Sequence, residues 1–136
     1  MKKITAKQLK KLIKDGVNQI TILIVEDDQD LRESLAAALR DEGYNVISAQ
    51  DADEAIASVK AHKAAIVFMD ICLPGMNGVE VYKAIKKIQP TATTVMMTGF
   101  FVQDLVNAAI SAGAYDIIYK PFTMDDILKV IKKITG

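Results

Sequence analysis

Short runs rich in β-branched and other apolar residues recur along the chain, at about 20–25, 45–49, 64–69, 93–97 and 115–119, and helical spacing fills the stretches between them. Leu31, Leu35 and Leu39 fall at i, i+4 and i+8. Ala55, Ile56 and Val59 follow Asp51, a side chain suited to capping a helix start. Val81, Ile85 and Ile88 precede Pro90, which cannot continue a helix. Val102, Leu105, Val106, Ala109 and Ile110 precede Gly113, a C-terminal stop, and Thr123 precedes a last helix carrying Ile127, Leu128, Ile131 and Ile134. Strand and helix alternating in this way predict an α/β fold, a doubly wound five-stranded parallel sheet with helices on both faces. The near-continuous apolar strands agree, because parallel strands are buried on both sides. Right-handed crossovers then bring the C-terminal ends of all strands to one edge, where such folds bind ligands.

The first 18 residues differ from the rest. Thr5-Ala6-Lys7-Gln8 has the form of a capping box, Leu9, Leu12 and Ile13 make an apolar stripe, and Gly16 closes the segment. Lys2, Lys3, Lys7, Lys10, Lys11 and Lys14 line the remaining face. The expectation is an N-terminal amphipathic helical extension over 1–18 ahead of a domain over 19–136. Three uses are open to it: a helix packed on the domain with a solvated lysine face, a partner-docking helix, or a weak contact with an anionic membrane. The stripe is too short to anchor a membrane by itself.

Composition narrows the classes. A chain of 136 residues with 51% hydrophobic residues suits one domain with an adequate core. Lys plus Arg and Asp plus Glu balance at 17 each, which removes a global electrostatic drive toward nucleic acid. Cys72 is the one cysteine, so an intrachain disulfide is excluded and a Cys-based zinc site is disfavoured. No apolar run reaches membrane-spanning length, and the start does not read as a signal peptide. A cytoplasmic protein is expected.

The candidate chemistry sits at the predicted strand ends. Glu26-Asp27-Asp28 stand directly behind the first apolar run, and Asp70 ends the third. Gathered at one sheet edge, these carboxylates repel one another unless a cation compensates. A hard-oxygen site with few protein ligands suits Mg²⁺ better than Ca²⁺. Asp28 reads as the cap of the following helix; Glu26 and Asp27 are then left over for the ion. Asp70 precedes Ile71-Cys72-Leu73-Pro74-Gly75-Met76-Asn77-Gly78, a loop-building stretch that holds a carboxylate as a nucleophile or leaves it to cap the next helix. Thr98, ahead of Gly99, offers a hydroxyl to a phosphate oxygen, and Lys120, ahead of Pro121, offers an ammonium.

Four segments together carry a resemblance: Ile22-Leu23-Ile24-Val25-Glu26-Asp27-Asp28, Met69-Asp70 with its loop to Gly78, Met97-Thr98-Gly99 and Tyr119-Lys120-Pro121-Phe122. Over residues from about 20 to 136 the chain resembles response-regulator receiver domains of the chemotaxis-regulator (CheY-like) type. The resemblance implies the flavodoxin-like strand order 2-1-3-4-5. It implies a phosphorelay receiver with Asp70 as phosphoacceptor. Mg²⁺ is held by Asp27, Asp70 and the backbone carbonyl of Cys72, with Glu26 acting through metal-bound waters. Lys120 contacts the phosphoryl oxygens, Thr98 moves toward them, and a cis bond before Pro121 aims Lys120 inward. The phosphoryl donor is a histidine kinase or histidine phosphotransfer protein, and the switched partner is another protein or a second copy of the chain. Direct nucleic-acid binding and a membrane span are not expected, nor is enzyme activity beyond the domain's own phosphorylation and dephosphorylation.

The chain stops after the fifth helix, so the expected output is a protein contact or onward phosphotransfer. Cys72 and Phe100 would tune access of water to the phosphate. One position departs from the family: Ile117 stands where an aromatic residue usually swings with the threonine, and Tyr115 and Tyr119 only flank it. Two other readings compete. A dehalogenase-type aspartate phosphatase needs a second acid where Cys72 stands. A receiver fold used only for dimerisation or as an adaptor would act without phosphorylation.

Overall fold

A computed structural model describes residues 5–8, 20–99 and 102–136 of the protein. The strands β1 (Thr21–Val25), β2 (Asn45–Ala49), β3 (Ile66–Asp70), β4 (Thr93–Thr98) and β5 (Asp116–Tyr119) alternate with the helices α1 (Gln29–Asp41), α2 (Ala52–Ala61), α3 (Gly78–Ile88), α4 (Gln103–Ser111) and α5 (Met124–Thr135). A two-residue antiparallel ladder, Cys72–Leu73 with Met76–Asn77, interrupts this order between β3 and α3. The sheet has the order β2-β1-β3-β4-β5, and all four pairings are parallel. Both the doubly wound architecture and the expected strand order hold.

Period-two alternation sends successive strand residues to opposite faces. Ile22, Ile24, Ile66, Phe68, Val95 and Met97 pack with Leu35 and Leu39 of α1 and Ile127 and Ile131 of α5. Leu23, Val25, Val67, Met69 and Met96 pack on the other face with α2, α3 and α4, through Ala55, Val59, Val81, Ile85, Val106 and Ala109. Helices α1, α2, α3 and α5 start where polar side chains satisfy their first N–H groups, whereas α4 starts after Val102 without a side-chain cap. Asp28, Asp51 and Asn77 cap α1, α2 and α3, and Thr123 forms a capping box with Asp126 at α5. Ile88 and Ile110, assigned to apolar stripes on spacing alone, are exposed at 37% and 56%. Ile88 is the last residue of α3, and Ile110 lies in the final turn of α4.

At the N-terminus, Thr5 and Gln8 make both bonds of the expected capping box, and Lys7 lies 3.2 Å from Asp41 at the end of α1. Such an exposed pair contributes at most about 1 kcal/mol. The stripe of Leu9, Leu12 and Ile13 and the stop at Gly16 lie outside the described residues.

Candidate functional site

At the C-terminal edge of the sheet the chain leaves β1, β3 and β5 within reach of one point, and β4 ends beside them. Asp70 is the last residue of β3; it is 6% exposed, buried apart from its outward side. Its Oδ1 accepts from the Cys72 N–H at 2.8 Å, and its Oδ2 accepts from Lys120 Nζ at 2.8 Å. It does not cap α3, because Asn77 does. The loop that holds it is tight: Gly78 N–H donates to the Ile71 carbonyl at 2.7 Å, and Ile71 N–H to the Met97 carbonyl at 2.8 Å.

Glu26 follows β1 and is fully buried. Its N–H donates to the Ala49 carbonyl at 3.0 Å, which continues the β1–β2 ladder by one residue. Lys120 Nζ donates to Glu26 Oε1 in a very close ion pair, and Asp28 N–H donates to Glu26 Oε2 at 3.2 Å. Asp27 is exposed at a bend. Glu26, Asp27 and Asp70 each turn a carboxylate oxygen toward one place, with these oxygens all within 4.8 Å of one another.

The electrostatics follow from crowding and burial. Burial pushes the Glu26 carboxyl up from 4.5 to about 7; the Lys120 hydrogen bond opposes this, and the negative charge of Asp70 adds to it. Burial pulls the Lys120 ammonium down, but the Asp70 and Glu26 carboxylates outweigh it and hold Lys120 above its usual value. Burial, then Asp70, raises the Cys72 thiol, so this side chain is no thiolate nucleophile at neutral pH. The Lys120 ammonium pairs with two of the three clustered carboxylates, those of Glu26 and Asp70, so the cluster is left short of positive charge. An all-oxygen donor set lacking positive charge fits a hard divalent cation.

Thr98, buried at the end of β4, pairs in register with Tyr119, and its carbonyl accepts from the Lys120 N–H at 2.8 Å. The Lys120–Pro121 bond is cis, as the resemblance implied. Ile117 is half-buried against the core on the α2–α4 side, while Tyr115 and Tyr119 are each 48% exposed. The aromatic side chains therefore flank that position at the surface and leave it to isoleucine. Phe100 lies outside the described residues. His62, the one histidine of the chain, is exposed at the end of α2.

Arg32 was missed by sequence reasoning. Its Nη1 donates to the Glu26 carbonyl at 2.8 Å and lies 3.4 Å from that of Asp27. The available signal was a cation close to a helix N-terminus, where the dipole disfavours it.

A family model for the response regulator receiver domain matches residues 22–132. The chain belongs to that family. Among curated relatives of this receiver, nitrogen assimilation regulatory protein NtrX of Azorhizobium caulinodans is 39% identical over 114 residues, which are 82% of the chain and 25% of NtrX. Chemotaxis protein CheY of Bacillus subtilis is 37% identical over 113 residues, covering 82% of the chain and 94% of CheY. The crystal structure of a CheY-like receiver domain protein from Methanospirillum hungatei JF-1 superposes with a TM-score of 0.82 at 33% identity, over 85% of this chain and 93% of that one. The chain spans about a quarter of the length of NtrX and of similarly long regulators. Receivers are signal-transduction modules of two-component systems. Among the described residues no helix is long and apolar enough to cross a membrane.

Proposed function

We propose that this receiver accepts a phosphoryl group on Asp70 from a histidine kinase or histidine phosphotransfer protein and uses it to switch protein–protein contacts. The observation that carries the reading is the convergence of Asp70, Glu26, Asp27 and Lys120 from three strands onto one point. In this reading Glu26, Asp27, Asp70 and the Cys72 backbone carbonyl hold Mg²⁺. Bound there, Mg²⁺ would supply positive charge to offset that of the phosphoryl oxygens.

The protein's own groups do the rest. A carboxylate oxygen of Asp70 attacks phosphorus; the O–P bond forms as the N–P bond to the donor histidine breaks. The Cys72 N–H keeps the Asp70 carboxylate from rotating. Lys120, already on Asp70, passes to the incoming phosphoryl oxygens. Thr98 donates its hydroxyl to one of those oxygens and draws the turn at Gly99 with it. The acyl phosphate adds charge and acceptor oxygens, and these bias the surface formed by α4 and β5. Ile117 is aliphatic, so coupling at this position runs through its packing in the core on the α2–α4 side and not through an aromatic rotamer. Residues 19–136 form the receiver in this account, and 1–18 a separate extension. The setting is the cytoplasm, and catalysis is confined to the domain's own phosphorylation and dephosphorylation.

A small phosphodonor such as acetyl phosphate, with Mg²⁺, tests the reading. Mass spectrometry should show one added phosphoryl group on the wild type and none on Asp70→Asn. Equal labelling of the two proteins rejects Asp70 as acceptor. No labelling of either favours an adaptor that works without phosphate, and steady turnover of a phosphate ester favours the aspartate-phosphatase alternative.

A further inference from the structure

We propose that Arg32 holds the turn after β1 in the shape that brings the Glu26 and Asp27 carboxylates to one side, which makes it a positioning residue of the acidic site. The inference rests on the receiver reading only for the identity of the ion. Along a regular strand successive carbonyls point to opposite sides, and so do successive side chains. After β1 this alternation is broken: one nitrogen of Arg32 lies 2.8 Å from the Glu26 carbonyl and 3.4 Å from the next carbonyl, that of Asp27. Consecutive carbonyls that converge on one donor leave the two side chains to converge as well, and their carboxylate oxygens come within 4.8 Å of each other and of Asp70.

Other ties act on this turn too. Glu26 N–H bonds to Ala49, Asp28 N–H bonds to the Glu26 side chain, and the Asp28 side chain accepts from the Leu31 N–H at 3.1 Å. Because a peptide unit is planar, the Asp28 N–H bond also orients the Asp27 carbonyl, but none of the three orients the Glu26 carbonyl. A planar guanidinium does, because its donors sit in a rigid fork. Its position near the start of α1 is unfavourable for a cation, so the residue contributes through the turn and not through the helix.

The test compares Arg32→Ala, Arg32→Gln and Arg32→Lys with the wild-type chain. Calorimetric titration reads Mg²⁺ affinity, and metal-free amide hydrogen exchange reads the turn. Arg32→Ala should weaken Mg²⁺ binding about 10-fold, the loss expected when a ligand's supporting partner goes. It should also speed exchange at Asp27 and Asp28 with little change in the sheet. In phosphorylation the Mg²⁺ concentration for half-maximal rate should rise while the rate at saturating Mg²⁺ holds. Arg32→Lys should recover more than Arg32→Gln. Mg²⁺ affinity within about twofold of wild type with unaltered exchange at the turn overturns the proposal, as does faster exchange spread evenly over the sheet. If the wild type binds no Mg²⁺, the receiver-site reading fails, and exchange at Asp27 and Asp28 alone decides the role of Arg32.

Discussion

Glu26 sets the electrostatic character of the site, because it is the carboxylate with no exposed surface. Its pKa rises from 4.5 to about 7 on folding, through burial set against the Lys120 hydrogen bond. The native state therefore binds this proton more tightly than the unfolded chain does, and between those values stability falls as pH rises. Lys120 stays protonated through the same window, since its own value is raised above 10.5. Denaturant titrations of the metal-free protein from about pH 5 to about pH 8 should thus show declining stability, and Glu26→Gln should flatten the decline. An equal slope in the variant would place the effect on other groups. At this scale the sequence was informative about Asp27, Asp28, Asp70 and Lys120, since a charged residue ending an apolar run announces itself. It was silent on Arg32, whose partners are main-chain carbonyls without a compositional mark.

The loop between β3 and α3 is where element geometry and chemistry meet. A Cβ on Gly78 would stand 2.5 Å from the Asp70 carbonyl oxygen and 2.7 Å from the Ile71 Cα. Both are backbone atoms, so the start of α3 or the end of β3 must shift. Gly78→Ala should destabilise the fold by about 1–3 kcal/mol, the usual cost of overpacking, and should slow labelling of Asp70. Gly75 is the contrast: it has φ 75 and open space around its Cα. Gly75→Ala should lose about 1–2 kcal/mol through the left-handed backbone alone and leave the labelling rate unchanged. Equilibrium unfolding and initial labelling rates on both variants separate the two; equal labelling of Gly78→Ala and wild type would count against the close approach. Helix starts were legible from Asp28, Asp51 and Thr123, which cap as short polar side chains do. The Cys72–Leu73 and Met76–Asn77 ladder was not, because two-residue strands carry no period. Nor was Gln89, whose Nε2 donates to the Val59 carbonyl at 2.7 Å and whose Oε1 accepts from the Ala64 N–H at 2.9 Å. These partners lie 25 and 30 residues away.

Across the whole molecule the site is a long-range closure. Lys120 meets Asp70 across 50 residues of chain and Glu26 across 94, so the charges assemble only when β1, β3 and β5 are in register. The number and spacing of apolar runs made the parallel sheet readable, whereas strand order came from resemblance, because periodicity says which segments are strands and not which are neighbours. A site built from three strands ties ion binding to global folding. A cation held by the native state alone stabilises it by about 2.7 kcal/mol at 100 times its dissociation constant. For a domain of this size that amounts to a rise in Tm on the order of 10 °C. The rise should shrink toward about pH 5.5, where Glu26 keeps its proton and the site carries one negative charge fewer to offer the ion. It should also shrink in Asp27→Asn, which leaves the Glu26–Lys120–Asp70 contacts in place. Scanning calorimetry with and without Mg²⁺ at the two pH values measures both effects. A shift of the same size in Asp27→Asn as in wild type would mean that the ion sits elsewhere on the molecule.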